Sequence, residues 1–107
     1  MDRLFVYGTL GPGRPNEHVM QNIGGTWHAA RLRGRLVKAG WGAEMGFPGL
    51  VITEDGEDIQ GHVFSSGNLA AHWHALDAFE GAEYQRVLAT VTLEDGSRIE
   101  AYVYALR

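Results

Sequence analysis

Twice along the chain an acidic segment containing Asp-Gly separates two runs of β-forming residues. Glu54-Asp55-Gly56-Glu57-Asp58 lies between Leu50–Thr53 and Ile59–Phe64, and Glu94-Asp95-Gly96 lies between Gln85–Leu93 and Ser97–Leu106. Asp-Gly suits the positive-φ positions of tight turns, so each pattern predicts an antiparallel hairpin, and together they predict four strands. Two earlier segments add to them. Leu4–Tyr7 is a short β-type run, while Trp27–Val37 alternates, with Leu32, Gly34 and Leu36 on one face and Arg31, Arg33 and Arg35 on the other.

Helical periodicity is confined to two places. Pro15-Asn16 introduces a short helix in which Val19, Asn22 and Ile23 recur at helical spacing before Gly24-Gly25 stops it. Asn68 to Gly81 carries a stronger signal, with Asn68 as cap and Gly81 as stop, and Leu69, Trp73, Leu76 and Glu80 fall within a sector roughly 60° wide. The residues therefore predict an α+β fold, a strongly curved sheet or small barrel with one or two flanking helices. With 107 residues the chain has room for one domain, spanning residues 1–107.

The lack of cysteine leaves carboxylate, imidazole, hydroxyl, amine and backbone groups for any chemistry. A net charge of −4 argues against nucleic acid or anionic lipid as partner, and no apolar run reaches the ~20 residues that a membrane span needs. The segment from Met1 to Tyr7 lacks the apolar core of a secretory signal, which predicts a cytoplasmic location. A monomer or homodimer is expected.

Glu80 falls on the apolar stripe of its helix, at the helix end. Burial there would raise its pKa toward the range in which a carboxyl can take and return protons at neutral pH. Two structural readings compete with that role: a helix frayed one residue early, with Glu80 in solvent, and a buried ion pair with Arg86. Tyr7-Gly8-Thr9-Leu10 opens from a strand into a Gly-rich loop, where successive backbone N–H groups can cradle a carboxylate or phosphate. An ordinary glycine turn is the competing reading. Gly8 and Gly13 have the spacing of a phosphate-binding loop, but Arg14-Pro15 stands where Lys-Ser/Thr would be needed, which disfavours an NTPase.

The five histidines include His72-x-His74, whose side chains diverge on a helix, so no metal site is predicted, and His62 is placed facing inward from a strand. Arg31, Arg33, Arg35 and Lys38 read as a solvated strand face. Ala39 to Gly49, with two aromatics and four glycines, reads as a loop walling a site.

Phe5-Val6-Tyr7-Gly8-Thr9-Leu10, Gly13-Arg14-Pro15-Asn16, Phe47-Pro48-Gly49, Gly61-His62-Val63-Phe64 and the run from Leu76-Asp77 through Glu80 to Tyr84-Gln85-Arg86-Val87 resemble the γ-glutamylcyclotransferase-like family. The likeness is closest to its small γ-glutamylamine cyclotransferase branch. It implies a small mixed β-barrel with flanking helices and a cavity at its mouth, working without cofactor or metal on a small γ-glutamyl substrate. By resemblance Glu80 is the catalytic proton-transfer residue. Tyr7, Gly8, Thr9 and Leu10 bind the substrate's α-carboxylate, and Tyr84 and Arg86 match substrate-binding positions; Glu83 matches none. The implied reaction releases 5-oxoproline and an amine by intramolecular attack, a lyase or acyltransferase chemistry. Two alternatives are a non-catalytic protein on this fold that binds a small carboxylate or phosphate, and an interaction protein whose partner surface is the Trp41–Phe47 loop.

Overall fold

The alternation of arginine with apolar residues becomes β2 (Thr26–Val37), the longest strand of a computed structural model that describes residues 2–38 and 48–107. Leu32 and Gly34 are buried and Arg33 and Arg35 exposed, as a period of two requires. Leu36 departs from the pattern and is 37% exposed. The ladder of β2 with its neighbour β4 (Glu57–Ser66) ends at Gly34, so Leu36 lies beyond the covered stretch.

The remaining strands are β1 (Asp2–Val6), β3 (Gly49–Ile52), β5 (Tyr84–Leu93) and β6 (Arg98–Leu106). Going round, β2, β4, β1, β6 and β5 are successive neighbours, and β5 returns to β2 through Ala30 opposite Leu93 and Arg31 opposite Thr92. This closes a five-stranded barrel. It is mixed because β1 runs parallel to β6 while the other pairs are antiparallel. The expected α+β barrel with flanking helices is what forms.

Of the two expected hairpins, the second is present. β5 and β6 pair from Tyr84–Leu106 to Thr92–Arg98. Gly96 takes φ 86° in the turn, and the Asp95 carboxylate accepts from the Ser97 N–H at 2.8 Å. The first does not form. Gly34 of β2 faces Ile52 of β3 and Glu57 of β4 in register, so β3 and β4 lie on opposite edges of β2 and their connection crosses it. A Cβ on Gly56 would collide with the Gly34 carbonyl oxygen. Gly56 therefore serves a close crossing of backbones and not a hairpin turn, two uses of glycine that an Asp-Gly pair does not distinguish.

Among the described residues the α-helices are α1 (Glu17–Ile23) and α2 (Trp73–Glu80), the latter preceded by a 3₁₀ turn at Leu69–Ala71. In α1 the buried residues are Met20 and Ile23, and Asn22 is exposed, contrary to the expected stripe. The single helix expected from Asn68 is interrupted at His72, and Asn68 is no side-chain cap. Its amide donates instead to the Ile23 carbonyl at 2.9 Å, and its N–H donates to Ser66 Oγ at 3.0 Å. Ser66 Oγ in turn donates to the Gly24 carbonyl at 2.6 Å, so these two side chains tie the end of α1 to the end of β4.

Two apolar clusters result. The inner one draws Phe5, Leu32, Val63, Val91 and Val103 from the five barrel strands. The outer one packs Met20, Ile23, Leu69 and Leu76 against Leu4, Val6, Phe64 and Tyr104 on the other face of the sheet. Among the described residues no helix is long and apolar enough to cross a membrane.

Candidate active site

β1 ends at Val6, and the chain then turns back on itself. The Gly8 carbonyl accepts from the Gly11 N–H at 3.2 Å, the Gly11 carbonyl from Arg14 at 3.0 Å, and the Thr9 carbonyl from Asn16 at 2.8 Å. Among the described residues, none of the bonds that close the loop uses the N–H groups of Gly8, Thr9 or Leu10 as donors. The loop thus turns its acceptors inward and keeps donors to offer, the arrangement that suits an anion. Leu10, 3% exposed, anchors the loop in the outer cluster.

Tyr7 fixes the start of this loop. Its hydroxyl donates to the Tyr104 carbonyl at 2.7 Å and accepts from the Leu50 N–H at 3.0 Å, joining the ends of β1, β6 and β3. Burial drives the Tyr7 phenol well above its usual range, so it stays protonated.

α2 continues to Glu80 because Gly81 adopts φ 85° and donates its N–H to the Asp77 carbonyl at 3.0 Å. The frayed alternative is therefore not realised, and Glu80 is only partly exposed. Burial raises its carboxyl from 4.5 to about 7. Nor is Arg86 its ion-pair partner: Arg86 Nε stands 3.0 Å from Asp77 Oδ1. That contact holds the Asp77 carboxyl below its usual range.

Tyr7, Gly8, Thr9, Leu10, Glu80 and Tyr84 line a single cleft, completed by Phe5, Val6, Pro48 and Tyr104, with about 420 Å³ of empty space including its open mouth. Arg86 is not among the lining residues. Its guanidinium lies 4.4 Å from the Trp73 ring centroid and 5.1 Å from that of Tyr102. The loop from Ala39 to Phe47, including the Trp41–Phe47 surface, lies outside the described residues; Pro48 at its end reaches the cleft. His62 is half-buried and edge-on to Trp27, with ring centroids 6.2 Å apart.

Tyr104 and Asp77 escaped the sequence reading. The Tyr104 hydroxyl donates to Asp77 Oδ1 at 2.6 Å, and Asp77 also accepts from Arg86. A signal for Tyr104 existed: centring the second hairpin on Asp95 pairs Arg86 with Tyr104, as observed, which puts both side chains on one face.

The family model for gamma-glutamyl cyclotransferase, AIG2-like proteins matches residues 4–107. Among solved structures, YkqA from Bacillus subtilis is 29% identical with a TM-score of 0.75, over 99% of this chain and 36% of that one. An AIG2-like protein from Mus musculus is 31% identical with a TM-score of 0.68, over 98% of this chain and 76% of that one. A solved gamma-glutamyl cyclotransferase, 16% identical, shares the fold with a TM-score of 0.66, over 99% of this chain and 66% of that one. The chain thus spans about a third of the length of YkqA. No curated protein matches the sequence significantly.

Proposed function

The chain belongs to the gamma-glutamyl cyclotransferase, AIG2-like family, and from that membership we propose that it converts a γ-glutamyl amine or γ-glutamyl amino acid into 5-oxoproline and the free amine. The observation that carries this reading is a carboxyl raised to about 7 in the same cleft as a loop that offers N–H donors. The N–H groups of Gly8, Thr9 and Leu10 hold the substrate's α-carboxylate. Glu80 is the base.

The α-ammonium gives a proton to ionised Glu80, and the resulting amine attacks the γ-carbonyl carbon. As the lactam C–N bond forms, the carbonyl becomes an oxyanion. Its breakdown cleaves the bond to the leaving nitrogen. Two protons leave the α-nitrogen and two reach the departing amine, so Glu80 transfers each in turn and ends as it began. No water is consumed. Proximity supplies much of the acceleration, since well-placed intramolecular partners reach effective molarities of about 10⁵ M or more. The Tyr84 hydroxyl makes no hydrogen bond to another described residue and lines the same cleft, which supports assigning to it the donation to the oxyanion.

Wild type and Glu80→Gln are incubated with a panel of γ-glutamyl amines and peptides, and 5-oxoproline is followed by mass spectrometry. Release by wild type, reduced at least ~10²-fold in the variant, is expected. Binding without release by the folded wild type would make the protein a binding module, and equal release by both forms would remove Glu80 from the reaction.

A further inference from the structure

Three tyrosines line the cleft, and hydrogen bonding divides them by what they can offer a ligand. A hydroxyl has one hydrogen to give and two lone pairs. Tyr7 spends its hydrogen on the Tyr104 carbonyl and one lone pair on the Leu50 N–H. Tyr104 spends its hydrogen on Asp77, in the shortest bond of the cluster at 2.6 Å. That hydrogen is not available to a ligand, because Asp77 is a carboxylate held by Arg86 Nε at 3.0 Å and Nη2 at 3.4 Å. Arg86 itself lies over the rings of Trp73 and Tyr102. To any ligand the Tyr104 oxygen can therefore only accept, and its electron density is increased by the charge of Asp77. The Glu80 carboxyl lies within electrostatic reach of this phenol.

An acceptor-only oxygen beside a carboxylate is matched to a cation that carries hydrogens. Resting on the γ-glutamyl reading above, we infer that Tyr104 is the subsite for the substrate's primary α-ammonium, with Asp77 and Arg86 as the positioning residues that make it so. By accepting one N–H, Tyr104 fixes rotation about the Cα–N bond. A second N–H points to Glu80, which takes its proton, and the lone pair so exposed faces the γ-carbonyl. The same arrangement discriminates against acyl amides that lack the amine, which bring the Tyr104 oxygen no donor to accept.

The test uses two probes, γ-glutamyl-n-butylamide and glutaryl-n-butylamide, which differ only in the α-amine. Their affinities are measured by calorimetry in the Glu80→Gln background, with and without Tyr104→Phe. Tyr104→Phe keeps the ring and its packing. It should weaken the amine-bearing probe roughly 10- to 100-fold, the range for a hydrogen bond to a charged group, and change the des-amino probe by less than about twofold. Asp77→Asn and Arg86→Gln should lower the same affinity ratio, and Arg86→Lys should recover part of it. Parallel losses for both probes, or no loss for either, would overturn the Tyr104 assignment while leaving the γ-glutamyl reading in place. Failure of the parent background to bind either probe, with no butylamine released by wild type, would overturn both.

Discussion

Replacing Glu80 by glutamine should stabilise the protein at alkaline pH while disabling it. Burial raises the Glu80 carboxyl from 4.5 to about 7 in the folded chain. At about 1.36 kcal/mol for each tenfold change in proton affinity, that raise corresponds to about 3 kcal/mol. The direction follows from which state releases the proton first. Below about pH 4.5 the group is protonated whether folded or unfolded, and it adds nothing to the pH dependence. As pH rises further the unfolded chain ionises first, so unfolding is favoured progressively until the folded carboxyl also ionises through about 7. Wild type should therefore lose up to about 3 kcal/mol between about pH 4.5 and pH 8 from this group, less in proportion to the water that reaches the cleft. Glutamine has the same shape and no charge. Urea unfolding followed by tryptophan fluorescence at intervals across that range should show the variant drawing ahead of wild type as pH increases, with little difference at the acid end. A difference between the two proteins that stays constant with pH would refute the claim that burial of an ionisable carboxyl sets the cost.

The same carboxyl predicts that log kcat/KM of wild type falls with unit slope below about pH 7, since protonated Glu80 cannot take the ammonium proton; an acid limb displaced below pH ~5 would exclude Glu80 as the group observed. Gly61→Ala should cost about 1–3 kcal/mol in thermal or urea unfolding, because its Cβ would meet the Val6 carbonyl oxygen and would stand 2.7 Å from Phe5 Cζ. A neutral result there would mean that β1 and β4 separate more easily than the barrel register implies. Ser66→Ala should cost about 1–3 kcal/mol, since it leaves the Asn68 N–H without an acceptor and the Gly24 carbonyl without that donor; hydrogen exchange at the end of α1 should accelerate with it.

What the sequence made legible was local. Period-two alternation located β2, the Asp95-Gly96 turn located the second hairpin, and Gly81 located the end of α2. Glu80 could be singled out because a carboxylate on an apolar helical stripe breaks the pattern around it. The misreadings share one physical origin, that glycine and asparagine serve tertiary contacts with the same chemistry they bring to turns and caps. Gly56 lets two backbones cross and Asn68 ties two elements 45 positions apart, and both look locally like punctuation. The surroundings of Arg86 were equally hidden from a local reading. Its neighbours Asp77, Trp73 and Tyr102 come from α2 and β6, so its contacts could be seen only once those elements were packed together.

The position of the cleft follows from the two apolar clusters. Tyr7 packs against the inner one, while Leu10, Tyr84 and Tyr104 belong to the outer one, so the walls of the cleft rest on both. Glu80 is carried by α2, which contacts the barrel through buried Leu76, one turn before it. Between helix and sheet stand the Asp77 contacts to Tyr104 and Arg86, and the Trp73 indole N–H donates to Asp2 Oδ2 at 2.9 Å near the start of β1. The loop that offers N–H groups is fixed to the sheet, and the carboxyl is fixed to the helix. Their separation is therefore set by how α2 seats on β5 and β6, and not by either element alone. A polar clamp suits that seat better than more apolar surface would, because hydrogen bonds fix orientation where apolar contact permits sliding. The Asp77 cluster thus does two things with one set of bonds: it registers the helix on the barrel, and it settles which way the Tyr104 hydrogen points.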